Sequence, residues 1–229
     1  MYSPGSRGIY IVPYYKKVNK LHKVSKKDFW EERYLTGKMP WDIGQAAPAF
    51  IKYFNYKGGF TSGKVCVLGC GLGHDAFYIA NLKDYNLQVY GFDFSENAIK
   101  YCNNIKEKES LKNISFYQVD FFELLNDKNW KNYFDFVIEH TSLAAIDPNR
   151  RKEYVDLIKY LLKGGGKLIG LFFIRPKELG GPPYGIQVEE VRKLFKDGFI
   201  EVEKLHYEEC LHKDKLTGDE YFGVCEKTG

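Results

Sequence analysis

Three glycines, Gly69, Gly71 and Gly73, follow a short β-branched and apolar run at residues 65–68. The run predicts a buried parallel strand, and the glycines predict a tight turn where backbone can approach a ligand at the start of a helix. The spacing is G-x-G-x-G, because His74 stands where the dinucleotide fingerprint G-x-G-x-x-G has its third glycine. Another tight turn or another nucleotide site would share this pattern, so a second element is needed.

An acidic residue at the end of the next predicted strand supplies that element. Residues 88–93 end in Asp93, about twenty residues past the glycine turn, where a carboxylate accepts hydrogen bonds from ribose hydroxyls in nucleotide-binding α/β folds. Ser95 is a suitable N-cap for the helix predicted after it. Both elements therefore indicate a nucleoside-containing ligand.

The third and fourth predicted strands also end in residues capable of binding or catalysis. Asp120 is followed by two phenylalanines, which suits the amino group and ring of an adenine, or alternatively a helix cap with core aromatics. Glu139 and His140 follow the strand at 134–138, at the edge where open α/β sheets bind ligands. His140 could accept a proton there, or it could be a core histidine.

The composition restricts the class of protein. The chain has 229 residues, 44% of them hydrophobic and 28% charged, which suits one α/β domain with a sizeable core. No apolar run approaches the roughly 18 residues of a membrane helix, and the first residues do not resemble a secretory signal. We therefore expect a cytoplasmic protein without membrane contact, a monomer or weak homodimer. The net charge of +4 is small for a nucleic-acid-binding protein, so no such partner is expected.

The cysteines do not form a metal or disulfide pattern. There are five, an odd number, with no C-x-x-C pair and no zinc-ligand spacing. They are expected to be reduced and mostly buried, and no metal site is predicted. Cys70 alone lies in the glycine turn, where its small side chain lets the loop turn.

The order of predicted elements gives the fold class. Strands and helices alternate from the first strand to about residue 195, and two late strands, 199–207 and 220–225, are joined by a polar loop. This order predicts an α/β, Rossmann-like fold: a seven-stranded, mostly parallel sheet with helices on both faces and an antiparallel last strand. Glycines and prolines at 179–185 predict a stiff loop above the sheet.

The residues ahead of the first strand divide into two parts. Residues 1–27 lack clear periodicity and are interpreted as an N-terminal extension, whereas 28–229 form the domain. Within it, 28–56 is expected to be a flap in which Trp30 and Trp41 are either core residues or apolar plates over a nucleoside. Its first part, residues 28–44, is expected to become ordered when the ligand binds.

Several stretches spread over about residues 28–195 carry a more specific pattern. They are FW at 29–30, MPWDIG at 39–44, LGCGLGHD at 68–75, GFDFSENAI at 91–99, AIDP at 145–148 with Arg151, GGPPY at 180–184 and EEV at 189–191. Together they resemble the thiopurine S-methyltransferase-like family, a branch of the class I S-adenosylmethionine-dependent methyltransferases that includes plant halide and thiol methyltransferases. The GGPPY loop combined with the Trp-Asp segment is far more specific than the glycine turn.

The resemblance implies an enzyme that binds S-adenosylmethionine, leaves S-adenosylhomocysteine as product and needs no metal. It places the methionine and ribose on the glycine turn and Asp93, the adenine beside residues 120–122, and Arg151 near the acceptor. The implied cofactor site comprises Trp30, Trp41, Gly69, Cys70, Gly71, Gly73, Asp93, Phe94, Asp120, Phe121, Phe122 and Glu139. The implied catalytic residues are Arg151, His140 and Tyr184.

The expected acceptor is a small thiol, hydrosulfide, selenium or halide-like nucleophile, methylated by in-line displacement. Arg151 could steer such an anion, or it could cap helix carbonyls or pair with Asp147. Glu139-His140 departs from the family pattern, in which aspartate is commonly followed by an arginine or an aromatic residue, so the acceptor stays open. Methylation of another small molecule, a protein or a nucleic acid is an alternative, as is a non-catalytic S-adenosylmethionine-binding module.

Overall fold

The computed structural model describes residues 23–57, 62–208 and 217–229 and centres on one seven-stranded sheet. The strands are β1 (Ser62–Leu68), β2 (Asn86–Asp93), β3 (Ile114–Gln118), β4 (Phe134–His140), β5 (Leu162–Ile174), β6 (Phe199–Glu208) and β7 (Asp219–Lys227). Their order in the sheet is β3-β2-β1-β4-β5-β7-β6. Strands β1 to β5 pair in parallel, and β7 is antiparallel to both β5 and β6. The predicted fold class is confirmed.

Helices cover both faces of this sheet. They are α1 (Lys27–Thr36), α2 (Pro48–Lys57), α3 (His74–Ala80), α4 (Glu96–Lys108), α5 (Ser142–Ala145), α6 (Arg151–Leu161) and α7 (Val188–Leu194). Because side chains alternate along a strand, Val65 and Val67 of β1 join an apolar cluster with α2, α3 and α4, whereas Cys66 and Leu68 join a second cluster with α6. The carboxyl ends of β1, β2 and β4 meet between these two layers.

The predicted boundaries differ from the structure mainly around residues 162–166. The sequence places Gly164, Gly165 and Gly166 after a helix and starts the fifth strand at Lys167, but helix α6 ends at Leu161 and β5 begins at Leu162. Glycines fit here because Gly165 has a φ of 74° and a Cβ on Gly166 would lie 3.0 Å from a backbone carbonyl oxygen. The strand therefore starts irregularly before its apolar part.

Two predicted regions lie partly or wholly outside the described residues. Most of the N-terminal extension at 1–27 does, and so does most of the polar loop between β6 and β7, at 209–216. The division into an extension at 1–27 and a domain at 28–229 with a flap at 28–56 stays a prediction.

Candidate functional site

A cavity of about 530 Å³ opens at the carboxyl ends of β1, β2 and β4. Its walls come from residues 24–45, called the N-terminal segment below, and from the glycine turn and the ends of β2 and β4. Residues 120–122 and 145–147 and two prolines of the GGPPY loop complete them. The volume lies within the range of about 300 to 1,000 Å³ that small-molecule sites occupy. The cavity is also at the edge where open α/β sheets bind ligands.

The glycine turn forms one wall of the cavity. Gly69 and Gly71 have φ values of 61° and 54°, and a Cβ on them would lie 2.5 Å from the Ser142 hydroxyl and 3.1 Å from the Tyr34 hydroxyl. Cys70 lies between them and also lines the cavity. Gly73 lies behind the wall, where a Cβ would meet the Cys102 sulfur at 2.9 Å. Glycine at 69 and 71 therefore makes room for the side chains of Ser142 and Tyr34, which also line the cavity, and glycine at 73 makes room for the core.

Asp93 is buried at the end of β2 and reaches the cavity beside this turn. Its two carboxylate oxygens accept hydrogen bonds from the backbone N–H groups of Gly71 and Ser95, each at 2.8 Å. Burial raises the pKa of Asp93 to about 6, although these N–H donors work in the opposite direction. Asp93 therefore shapes the glycine turn and presents a buried acceptor to the cavity.

Aromatic side chains form the remaining apolar walls. Trp30 and Trp41 pack edge to face, with ring centroids 5.6 Å apart, and both line the cavity. Four further residues expected from the sequence also line the cavity: Phe94, Asp120, Phe121 and Phe122. The structure thus brings the two tryptophans of the N-terminal segment to the same cavity as residues 120–122.

Among the residues that the structure describes, two histidines line the cavity, and each is paired with a carboxylate. His140 Nδ1 lies 2.7 Å from Asp75, whose other oxygen accepts the backbone N–H of Ala47 at 2.8 Å. His140 Nε2 lies 4.0 Å from a carboxylate oxygen of Glu220 on β7. His74 Nε2 lies 3.0 Å from Asp42.

The carboxylates decide the charge of His140. Burial alone lowers the pKa of this imidazole, but Asp75 and Glu220, helped by Glu139, raise it to about 9. At neutral pH, His140 is therefore an imidazolium that donates to Asp75. It is not the free proton acceptor considered from the sequence.

This charge makes stability depend on pH. The pKa of His140 is about 9 in the fold and close to 6.5 in an unfolded chain, so its stabilisation is complete below pH 6.5 and lost as pH rises through 9. A shift of this size corresponds to about 3 kcal/mol in the free energy of unfolding. Thermal unfolding of the ligand-free protein should show a midpoint that falls across this window.

In the variant His140→Gln, most of this fall in the unfolding midpoint between pH 6.5 and 9 should disappear. The matched control is His206→Gln, a histidine on β6 outside the cavity lining, which should keep it. A wild-type pH dependence in His140→Gln would mean that other groups cause it.

Besides Gly73, three residues expected at the site lie outside the cavity lining. Arg151 is buried, and its guanidinium donates to the carbonyls of Tyr184 and Gly185 at 3.0 and 3.1 Å and to Glu190 at 3.1 Å. Tyr184 is buried, and its N–H donates to a carbonyl of α5, so that prolines 182 and 183 face the cavity in its place. Arg151 therefore lies where it can hold the GGPPY loop.

Glu139 is the third of these residues and lies fully buried beneath the cavity floor. It accepts the N–H of Leu143 at 2.8 Å and the hydroxyl of Tyr154. Burial raises the pKa of Glu139 to about 7. These bonds connect the end of β4 to the start of α5 and to α6.

The cavity also contains residues that the sequence analysis did not single out. Tyr34, Asp75 and Arg150 all line it. The Arg150 guanidinium lies 3.5 Å from the ring centre of Phe122 and pairs with Glu153 at 2.7 Å. The only available signal for Arg150 was its position next to Arg151, and for Asp75 its place in the stretch LGCGLGHD.

Comparison with known proteins assigns the chain to a family. The model of the family described as "Thiopurine S-methyltransferase (TPMT)" matches residues 25–224. The chain belongs to the thiopurine S-methyltransferase family. The family prediction is confirmed, and with it the enzyme class: the protein is a methyltransferase that uses S-adenosylmethionine.

Individual relatives of this family are similar over most of the chain. A "Probable thiol methyltransferase 2" of Arabidopsis thaliana is 32% identical over 170 residues, covering 72% of this chain and 70% of the relative. A "Thiopurine S-methyltransferase" of Vibrio campbellii is 27% identical over 187 residues, covering 74% and 82%. Among solved structures, a Burkholderia thailandensis 1,6-didemethyltoxoflavin-N1-methyltransferase with bound S-adenosylhomocysteine has a TM-score of 0.70 at 16% identity, covering 100% of this chain and 94% of that chain. That structural likeness shows a shared fold.

Two further properties hold for the part of the chain that the structure describes. No group of three or more histidine, cysteine, aspartate or glutamate side chains there could hold a metal ion. Among the helices of these residues, none combines the length and apolar character needed to cross a membrane.

Proposed function

We propose that this thiopurine S-methyltransferase family member methylates a small sulfur nucleophile that reaches the site as an anion, such as hydrosulfide or a small thiolate. Selenium and halide-like anions belong to the same chemical class. The observation that carries the proposal is the pairing of both cavity histidines with carboxylates, His140 with Asp75 and His74 with Asp42. Since His140 already holds its proton at neutral pH, it cannot remove one from the acceptor.

The cavity fits the nucleoside part of the cofactor. Gly69 and Gly71 line the cavity, and because they carry no side chain a ligand can approach their backbone closely. We place the ribose hydroxyls on Asp93 and the adenine between Phe94 and residues 120–122, with Trp30 and Trp41 covering the opening. When bound, the cofactor supplies an electrophilic methyl group on a sulfonium.

The chain's own residues then have to align the acceptor and exclude water. The sulfur anion attacks the methyl carbon in line, a new carbon–sulfur bond forms, and the electron pair of the broken bond stays on the departing thioether sulfur. No proton moves in this step if the acceptor is already ionised. The Arg150 guanidinium, whose pKa is raised by Glu153, is a permanent cation in the cavity that can attract such an anion.

Names of relatives support the same acceptor class. The plant relatives are named as a probable thiol methyltransferase and as a "Thiocyanate methyltransferase 1" of Brassica oleracea, the latter 30% identical over 186 residues.

We also propose that the enzyme acts in the cytoplasm as a monomer or weak homodimer. It has no nucleic-acid partner in this proposal, which its modest net charge of +4 supports.

The test is transfer of a labelled methyl group to acceptors of similar size and different ionisation. Hydrosulfide, small thiols, thiocyanate and iodide are compared with ethanol, ethylamine and phenol at pH 7.5. We expect the soft anions to be methylated, and kcat/KM for a thiol to rise with pH up to the thiol's own pKa of about 8.5.

Arg150→Gln should lower kcat/KM for the anions about 10-fold, and Arg192→Gln on α7 is its matched control. Preferential methylation of amines, alcohols or a macromolecule would contradict the proposed acceptor.

A further inference from the structure

Helix α1 contributes residues to the cavity lining but none to the buried core. It has ten residues, none of them buried, yet Trp30, Arg33 and Tyr34 on it line the cavity. An isolated helix of this length is marginal in water. Something outside α1 must therefore hold these side chains against the cavity.

A single carboxylate makes most of the polar contacts between α1 and the domain. Glu31 accepts hydrogen bonds from the Ser95 hydroxyl at 2.6 Å, from the Glu96 N–H at 2.9 Å and from the Asn97 N–H at 3.2 Å. It also accepts the side-chain amide of Asn97. These donors form the N-terminus of α4, where backbone N–H groups lack helical partners and the helix dipole favours a negative charge.

The same helix start is tied to Asp93, where we place the ribose. The backbone N–H of Ser95 donates to Asp93 at 2.8 Å, while the Ser95 hydroxyl donates to Glu31. Ser95 thus connects Asp93 to Glu31. A change in the position of Asp93 therefore moves the donors at the start of α4 that Glu31 binds.

We propose that Glu31 is a positioning residue that latches α1 over the bound nucleoside, coupling occupancy at Asp93 to closure of the segment at residues 23–44. The only other charged contact of α1 with α4 that the described residues show is Lys27–Glu96 at 3.3 Å, which is partly exposed and correspondingly weak. The inference rests on the proposed placement of the nucleoside.

The test measures binding of S-adenosylhomocysteine to Glu31→Ala, Glu31→Gln and the control Asp28→Asn, an exposed carboxylate on the same helix. Stopped-flow tryptophan fluorescence gives the dissociation rate, and hydrogen exchange of residues 23–44 is followed at saturating ligand. We expect Glu31→Ala to raise the dissociation rate about 10- to 100-fold with little change in the association rate. In Glu31→Ala, residues 23–44 should exchange fast even when ligand is bound. Glu31→Gln keeps one acceptor oxygen, so its dissociation and exchange rates should lie between those of the wild type and Glu31→Ala.

Wild-type dissociation and exchange in both Glu31 variants would overturn the latch. If Glu31→Ala does not fold, the Gln variant decides by the same two readouts. Failure of the wild-type protein to bind S-adenosylhomocysteine would instead overturn the proposed nucleoside site, so the two failures are distinguishable.

Discussion

Replacing Asp93 with alanine is expected to weaken S-adenosylhomocysteine binding by roughly 10- to 100-fold, a loss of about 1 to 3 kcal/mol. The variant removes the acceptor for the ribose hydroxyls. It also leaves the buried N–H groups of Gly71 and Ser95 without the carboxylate that now accepts them at 2.8 Å. The glycine turn and the start of α4 should therefore both loosen.

Titration calorimetry measures this loss, with Asp84→Ala as the control, because Asp84 is an exposed acid between α3 and β2. An affinity equal to that of the wild type would remove Asp93 from the cofactor site.

The variant Arg151→Ala is expected to cost stability, about 2 to 4 kcal/mol in the free energy of unfolding, because two buried backbone carbonyls lose their donor. These are the carbonyls of Tyr184, the last residue of the GGPPY loop, and of Gly185, whereas Glu190 keeps its ion pair with Lys177 at 2.6 Å. Denaturant unfolding should show the loss. Arg192→Ala, which breaks an exposed pair with Glu189, should show little.

Wild-type stability in Arg151→Ala, combined with a lower rate for anionic acceptors, would contradict this assignment. It would restore the acceptor-binding role inferred from the family resemblance.

Local sequence predicts correctly the part of the site whose residues directly follow strands. The glycine turn, Asp93 and residues 120–122 each follow a strand directly, so the topology alone brings them to one edge of the sheet. For the two tryptophans of the N-terminal segment, the sequence does not distinguish a core position from a place over the ligand. The structure places both at the cavity.

The sequence could not decide between Arg150 and Arg151. A short 3-10 turn, Pro148–Arg150, precedes α6, and the chain direction at that junction sends Arg150 to the cavity and Arg151 beneath the GGPPY loop. A shift of one residue along the chain would therefore exchange the arginine that lines the cavity with the one that holds the loop. No local sequence pattern specifies which of the two faces the cavity.

The charge of His140 could not be predicted from the sequence either, because its partners are distant along the chain. Its partner Asp75 is 65 positions away, and Glu220 lies on the antiparallel strand β7. Only the folded chain brings Asp75 of helix α3 and Glu220 of β7 to the same imidazole, which changes a possible base into a cation. The contact of Glu31 with the start of α4 depends in the same way on tertiary docking.

The measurement that tests the account most directly is single-turnover transfer of a labelled methyl group from S-adenosylmethionine, with hydrosulfide and ethanol offered in turn and the product identified by mass spectrometry. We expect up to one labelled methanethiol per enzyme molecule with hydrosulfide, and no labelled ether with ethanol. Bound donor that transfers no methyl group to hydrosulfide, to a small thiolate or to another soft anion would contradict the proposed function.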